Sequence, residues 1–170
     1  MTALRDRALF GLLFLNGLRR SEAVGARVGD ITIEQGHTVL RVRGKGRKLR
    51  LAKLPPARVR WIRERIEMAE LGPDDPLIVP IEHGGRSLRS RQSLDGGTVN
   101  RIVHRRLAQA GLRVLSAHSA RATFVTLALR GGAPLPAVQV AAGHADSRQT
   151  MRYADLSDML DNNATDDIRM

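Results

Sequence analysis

Residues 31–53 read ITIEQGHTVLRVRGKGRKLRLAK, and this stretch decides the fold because strand-forming runs alternate in it with turn residues. Three short runs are β-branched or alternate apolar with polar residues: Ile31–Glu34, Thr38–Arg43 and Leu49–Lys53. Gln35-Gly36 separates the first run from the second, and Gly44-Lys45-Gly46 separates the second from the third. Because short turns of this kind join neighbouring antiparallel strands, the stretch predicts a small three-stranded antiparallel sheet.

Helical patterns lie on both sides of this sheet. Apolar residues recur at helical spacing from Leu4 to Leu15, where Asn16-Gly17 ends the run. Residues 72–95 are rich in loop-forming residues. Further helices are predicted over about residues 21–27, 55–71, 98–110, 118–129, 136–142 and 148–153. The predicted fold class is therefore α+β, mainly α-helical with one small antiparallel sheet.

Composition narrows the class of protein. The chain has 170 residues, of which 42% are hydrophobic, and this suffices for one domain with a real core. It has no apolar run of transmembrane length, and MTALRDRA at its start lacks the basic-then-apolar order of a signal peptide. We therefore expect a cytoplasmic protein. The absence of cysteine excludes disulfides and thiolate metal ligands.

The charge of the chain indicates a partner class. The net charge is +11, from 28 Lys and Arg against 17 Asp and Glu, and nearly all of these cations are arginines. Since the planar guanidinium suits phosphate, nucleic acid is the leading partner class, although an arginine-rich genome would produce the same excess. Residues 154–170 differ, because they hold five aspartates against one arginine. This acidic tail favours contact with protein over DNA, with disorder as the alternative.

The turn GLRRSE, residues 17–22, is the first candidate for chemistry. Arg19 stands between two predicted helices, where its side chain can reach into a cleft beside the N–H groups of a new helix. Glu22 lies one helical turn further on, so its carboxylate can orient a guanidinium or a nearby imidazole. Taken alone, the stretch favours an ordinary capped helix start over an anion site.

A second group of candidates carries cationic, imidazole and phenol side chains. Lys45 stands at a hairpin tip between two glycines, and this is no P-loop because a strand follows it. His118 and Arg121 have helical i, i+3 spacing, which places them on one face and suits a phosphate. His144 follows a glycine, and Tyr153, the only tyrosine, comes nine residues later. Each of these residues alone has an ordinary surface or core interpretation.

A basic loop over residues 84–91 is either a DNA contact or a solvated loop. In this loop and near the two turns, the candidates for DNA contact are Arg20, Arg47, Lys48, Arg86, Arg89 and Arg91.

The candidates form one series along nearly the whole chain: Arg19 in GLRRSE, Lys45 in GKG, His118 and Arg121 as His-x-x-Arg, His144 in GHA, and Tyr153. This series resembles the catalytic domain of the tyrosine recombinases, the phage-integrase group. The resemblance implies that Arg19 and Arg121 grip the oxygens of the scissile phosphate, with His118 and His144 completing the cradle and Glu22 supporting it. The segment HSARAT departs from the common family pattern at Ala120 and Ala122, which puts local packing in doubt.

The resemblance also implies the covalent chemistry. Tyr153 attacks the phosphorus and forms a 3′-phosphotyrosyl link while a 5′-hydroxyl leaves. Lys45 is then the general acid for the leaving oxygen, and His118 is the proton acceptor for Tyr153, because a free phenol has a pKa near ~10. No metal and no other cofactor is implied, since arginines occupy the place of a phosphate-binding magnesium.

The remaining expectations concern organisation and partners. The resemblance implies a catalytic domain over residues 1–155, an acidic C-terminal tail over 156–170 for contact with a neighbouring subunit, and no N-terminal core-binding domain in this chain. The implied partners are double-stranded DNA and further copies of the chain, as a tetramer on DNA in a prokaryotic nucleoid. Two alternatives stay open: a type IB topoisomerase-like enzyme, and a non-catalytic basic module that binds DNA.

Overall fold

The computed structural model describes residues 1–44, 49–85, 87–144, 148, 150 and 151. The helices are α1 (Thr2–Phe10), α2 (Arg20–Gly25), α3 (Pro56–Met68), α4 (Gly96–Gln109), α5 (Ser119–Arg130) and α6 (Leu135–Ala142). The strands are β1 (Ile31–Glu34), β2 (His37–Arg43) and β3 (Leu49–Lys53). A π-helical turn, Gly11–Leu15, continues α1, and a 3₁₀ turn, Val28–Asp30, precedes β1.

The sheet confirms the prediction from residues 31–53. Its strand order is β1-β2-β3, and both neighbouring pairs are antiparallel. Gln35 and Gly36 join β1 to β2 with φ of 50° and 76°, because a tight hairpin turn needs positive φ at both central residues. Leu40 lies opposite Ala52, and both are buried on the face of the sheet that packs on the core.

The first helix differs from the prediction at its end. The helical pattern predicted one helix to Leu15, whereas α1 ends at Phe10 and the chain widens into the π-helical turn. Gly11 of this turn packs against Trp61 of α3, where even a Cβ would be in ordinary contact with the ring, at 3.6 Å. The wider turn directs Gly11, Leu12 and Leu13 into the core together.

The other boundaries differ by a few residues. Helix α2 ends at Gly25 because Ala26 and Arg27 are extended, and Arg27 forms an isolated antiparallel bridge with Pro76 before the 3₁₀ turn begins. Helix α4 begins two residues early, at Gly96, because the carboxylate of Asp95 accepts the N–H of Thr98 at 2.9 Å and caps it. Residues 72–95 hold no helix or strand where they are described, as the loop-rich pattern predicted.

One main hydrophobic core joins α1, the π-helical turn, α4 and the sheet. Its fully buried members come from distant parts of the chain: Leu9, Leu13, Leu18, Leu40, Ile78, Val99 and Val103. A smaller cluster of Val125, Val138 and Ala142 packs α6 on α5. The two clusters bring the start of α2, the start of α5 and the end of α6 to one side of the molecule. No helix in the described ranges is long and apolar enough to cross a membrane.

Candidate active site

The turn before α2 holds Arg19 in an extended conformation. Arg19 is the N-cap residue, with φ −65° and ψ 152°. Glu22 accepts two hydrogen bonds from it, one from its backbone N–H and one from Nη1, both at 2.8 Å. Gly17, two residues earlier, has φ 62°, and a Cβ there would lie 2.3 Å from the ring of Phe124. The turn therefore requires glycine at position 17, and Glu22 orients the guanidinium as the sequence predicted.

Glu22 also pairs with Arg50, which sequence reasoning did not single out. Nη2 of Arg50 donates to Oε2 of Glu22 at 2.8 Å, and the Glu22 side chain is only 3% exposed. The signal in the sequence was the alternation of β3, which places Arg50 on the same face as the buried Ala52. A charged residue on the buried face of a strand indicates a buried partner.

The pKa of Glu22 reflects these contacts. Burial alone raises the pKa of its carboxyl, but the Arg19 N–H, the charge of Arg50 and the side-chain hydrogen bonds from both arginines act in the opposite direction. The net result is a pKa below the ordinary value. Glu22 is therefore a carboxylate at neutral pH, and it holds two guanidinium groups in fixed positions.

The end of α6 meets the same two arginines. Gly143 ends this helix in the left-handed conformation, with φ 61° and ψ 45°. Its carbonyl accepts from Nη2 of Arg19 at 3.2 Å, and the carbonyl of Ala141 accepts from Nη1 of Arg50 at 2.9 Å. A Cβ at Gly143 would lie 2.9 Å from Cδ of Arg50, so this close approach also requires glycine.

Arg121 and His144 form the second half of the site. Arg121, on the first turn of α5, is only 7% exposed and donates from Nη1 to the carbonyl of Gly17 at 3.0 Å. Its Nε donates to Nε2 of His144 at 3.2 Å. Nδ1 of His144 lies 2.8 Å from Oγ1 of Thr150, a further residue that sequence reasoning did not single out. The helix bearing Arg121 and the turn bearing His144 are thus linked side chain to side chain.

The surroundings of His144 disfavour its charged form. Burial and the positive charges of Arg121, Arg19 and Arg50 lower the pKa of His144 to about 4. The imidazole is therefore neutral at physiological pH. A neutral ring has one acceptor nitrogen and one donor nitrogen, which agrees with an Nε2 that accepts from Arg121.

Arg19, Arg121 and His144 line one cleft of about 650 Å³. His118, the exposed N-cap residue of α5, lies on its wall, as does Ala122. Asn100 of α4 also lines the cleft, and its Oδ1 accepts the N–H of Ala117 at 3.2 Å, which holds the start of α5 in place. Sequence reasoning missed Asn100, because nothing local distinguishes it from other polar residues of α4.

The structure brings together Arg19, Glu22, His118, Arg121 and His144, as their predicted shared role requires. The predicted general acid Lys45 and nucleophile Tyr153 lie outside the described residues, as do Arg47, Lys48 and Arg86. Within the described ranges, no group of three or more His, Asp or Glu side chains is placed to hold a metal ion. Metal-free chemistry stays a prediction.

The remaining candidates for DNA contact are spread over two regions. Arg20 lines the cleft, and its Nη1 lies 3.5 Å from the carbonyl of Gly96. Arg89 is exposed on the loop after residue 85. Arg91 donates to the carbonyl of Glu70 at 3.1 Å and pairs with Asp75, so its head group helps to hold the loop. Their contact with DNA stays a prediction.

The sequence of the chain is similar to those of known proteins. The sequence model described as "Phage integrase family" matches residues 1–159, which include every predicted catalytic position. The chain belongs to the phage integrase family. Tyrosine recombinase XerC of Pelobacter propionicus is 36% identical over 155 residues, covering 91% of this chain and 48% of that protein. Tyrosine recombinase XerD of Yersinia pestis is 37% identical over 158 residues, covering 88% of this chain and 49% of that protein.

Solved structures of this family show the same fold. The XerH site-specific recombinase in its post-cleavage complex with palindromic difH substrate is 27% identical, with a TM-score of 0.79 over 95% of this chain and 45% of that one. The XerA recombinase has a TM-score of 0.75 at 22% identity, over 99% of this chain and 60% of that one. The predicted fold of a tyrosine recombinase catalytic domain is therefore confirmed. The chain spans about half the length of the XerC and XerD relatives.

Proposed function

We propose that this chain is the catalytic domain of a site-specific DNA recombinase, which cleaves and rejoins DNA strands through a 3′-phosphotyrosyl intermediate. One observation carries the proposal. Arg19, His118, Arg121 and His144 come from three separate segments of the sequence and converge on a single cleft. The two guanidiniums suit a phosphodiester, since their N–H groups are rigid donors to non-bridging oxygens, and the imidazoles of His118 and His144 lie beside them.

The two arginines supply electrostatic stabilisation. Glu22 and the Gly143 carbonyl fix Arg19, and the Gly17 carbonyl and His144 fix Arg121. Because these donors are already in place, little reorganisation free energy is needed when negative charge grows on a pentavalent phosphorane. These contacts support a role for both arginines in binding the transition state rather than only the bound DNA.

The covalent step is a phosphoryl transfer in which bonds and protons balance. The phenol oxygen of Tyr153 attacks phosphorus, its proton passes to His118, and the bond to the 5′-oxygen breaks. Lys45 protonates that oxygen, which leaves as a 5′-hydroxyl. Attack of a 5′-hydroxyl on the phosphotyrosyl bond reverses these steps, so rejoining needs no external energy source. In this scheme arginines neutralise the phosphate, and no metal takes part.

The partners are proposed on charge and on similarity. The net charge of +11 favours a polyanion, and XerH is similar to this chain and was solved on its difH substrate. We infer double-stranded DNA as the substrate and a tetramer of copies as the assembly in which strands are exchanged. Similarity to XerC and XerD favours recombination over topoisomerase-like relaxation and over a non-catalytic module.

A nicked suicide substrate tests the activity. The first prediction is that the chain forms a covalent adduct with a nicked duplex, because loss of a short 5′-hydroxyl fragment prevents rejoining. The substrates are nicked duplexes that include the recombination sites of the relatives, and denaturing gels detect the adduct. Tyr153→Phe should abolish the adduct while DNA binding persists.

Two outcomes contradict the proposal. An adduct that survives in Tyr153→Phe removes Tyr153 as the nucleophile. If the chain binds DNA but forms no adduct with any of the nicked duplexes, the result favours the non-catalytic DNA-binding module. A third assay separates the enzyme classes, because efficient relaxation of a supercoiled plasmid without paired sites indicates a topoisomerase.

A further inference from the structure

Thr150 is a polar residue that the structure buries completely beside the cleft. Its exposed fraction is 0%, and its Oγ1 lies 2.8 Å from Nδ1 of His144. It does not line the cleft itself. Buried hydroxyl groups are held by specific hydrogen bonds, so the contact with His144 constrains both side chains. The mechanism above gives Thr150 no part in the reaction.

The contacts of the His144 ring determine which nitrogen carries the proton. Nε2 accepts the N–H of Arg121 Nε at 3.2 Å, so Nε2 carries no proton. The single proton of a neutral imidazole is then on Nδ1, and Nδ1–H donates to Oγ1 of Thr150. The lowered pKa of His144, about 4, agrees with a ring that stays neutral at physiological pH. Thr150, His144 and Arg121 therefore form a directed chain of hydrogen bonds.

We propose that Thr150 is a positioning residue, whose hydroxyl keeps His144 in the Nδ1–H tautomer so that Nε2 can orient the guanidinium of Arg121. The inference rests on the proposed function, because it deepens the account of how Arg121 is held toward the phosphate. It assigns a role to a residue three positions before the proposed nucleophile Tyr153.

Loss of the hydroxyl changes the tautomer for a physical reason. Valine has nearly the shape of threonine, but it offers no acceptor to Nδ1–H. A buried donor without an acceptor is costly, so the ring proton moves to Nε2. Nε2–H then faces the N–H of Arg121, and two donors form no hydrogen bond. Arg121 keeps its hydrogen bond to the Gly17 carbonyl but loses the hydrogen bond from its Nε to Nε2 of His144.

The experiment compares three variants of the full chain. Thr150→Val removes the hydroxyl, and Thr150→Ser restores it. Thr32→Val is the matched control, because Thr32 lies on β1, which contributes no residue to the cleft. Long-range ¹H–¹⁵N NMR of histidine-labelled protein reports the tautomer of His144. Single-turnover cleavage of the suicide substrate at saturating DNA, the DNA dissociation constant and Tm are measured beside it.

The expected result is a set of changes confined to Thr150→Val. Wild type, Thr150→Ser and Thr32→Val show the Nδ1–H tautomer, whereas Thr150→Val shows Nε2–H. Cleavage by Thr150→Val is slower by about 10- to 100-fold, the range for one buried donor left without a partner, while the DNA dissociation constant is unchanged. Thr150→Ser cleaves at nearly the wild-type rate.

Other results overturn the inference. An Nε2–H tautomer in the wild type contradicts it directly, even if Thr150→Val fails to fold. A folded Thr150→Val that keeps the Nδ1–H tautomer, or that cleaves at the wild-type rate, also contradicts it. If the wild type forms no adduct, the proposed function fails separately, and the NMR spectra still decide whether Thr150 sets the tautomer.

Discussion

Two arginines, the half-buried Arg50 beside the cleft and the fully buried Arg65 on α3, have opposite surroundings. Arg50 donates to the Glu22 carboxylate at 2.8 Å and to the Ala141 carbonyl at 2.9 Å. Arg65 is 0% exposed, and its three guanidinium nitrogens have no hydrogen-bond partner among the described residues. Because a buried charge is costly unless partners replace water, burial of arginine is compensated at the cleft and uncompensated on α3.

The pKa values of the two regions show the same contrast. Burial and the neighbouring charge of Arg5 lower the pKa of Arg65 to about 10. At the cleft, the contacts of Glu22 with two arginines outweigh its own burial and lower its pKa, which favours the charged pair. The charged groups of the cleft therefore stabilise one another, whereas the burial of Arg65 is unfavourable and the rest of the core must offset it.

The largest effect is expected from breaking the compensated pair. Arg50→Met leaves the buried Glu22 carboxylate with only Arg19 as a charged partner, which should lower the free energy of unfolding by about 3 kcal/mol. Urea unfolding measures this loss. Arg43→Met, on an exposed position of β2, is the control for the change in charge and should have little effect. A loss in Arg50→Met no larger than in the control would show that Glu22 does not depend on Arg50.

A smaller effect of opposite sign is expected on α3. Arg65→Met removes the uncompensated cation and keeps an unbranched apolar chain, so the free energy of unfolding should rise by about 2 kcal/mol. Thermal and urea unfolding measure the gain against Arg63→Met, an exposed neighbour on the same helix. Destabilisation by Arg65→Met would mean that the guanidinium has a partner that compensates its burial.

The smallest effect concerns pH. The pKa of His144 is lowered from 6.5 to about 4 in the folded protein, so the unfolded chain binds the proton more tightly. This group therefore lowers stability as pH falls from about 6.5 toward 4, by about 1 kcal/mol after allowance for its partial exposure to solvent. Denaturant titrations at pH 7 and pH 4 measure the slope. His144→Gln should reduce it, and an unchanged slope would exclude His144 as its source.

Much of the fold followed from local patterns. The alternation in residues 31–53 and the turn residues predicted all three strands and their antiparallel pairing, because alternation and turn chemistry are local properties of the sequence. The π-helical turn at Gly11–Leu15 was missed, since the apolar spacing of Leu12 and Leu13 fits an ordinary helix equally well. In the folded chain this turn lies against Trp61, which is far along the sequence and outside any local pattern.

The candidate site also has residues that local spacing predicted and others that it did not. Arg19 with Glu22, and His118 with Arg121, were predictable because each pair spans one helical turn. Asn100 was not, because its role is to accept the N–H of Ala117, which lies in the turn before α5 and 17 positions along the chain.

By itself, the sequence determined the fold class, the family and the residue types of the cleft, since these depend on periodicity, turn chemistry and the order of a few polar residues. Only the tertiary structure decided which hydrogen-bond partners hold the side chains of the cleft in position. Arg50 reaches Ala141 across 91 positions of the chain, and Arg121 reaches Gly17 across 104. Hydrogen bonds of this range form only after the core has packed β3 near α6, and α5 near the turn before α2. No local pattern of residues encodes them.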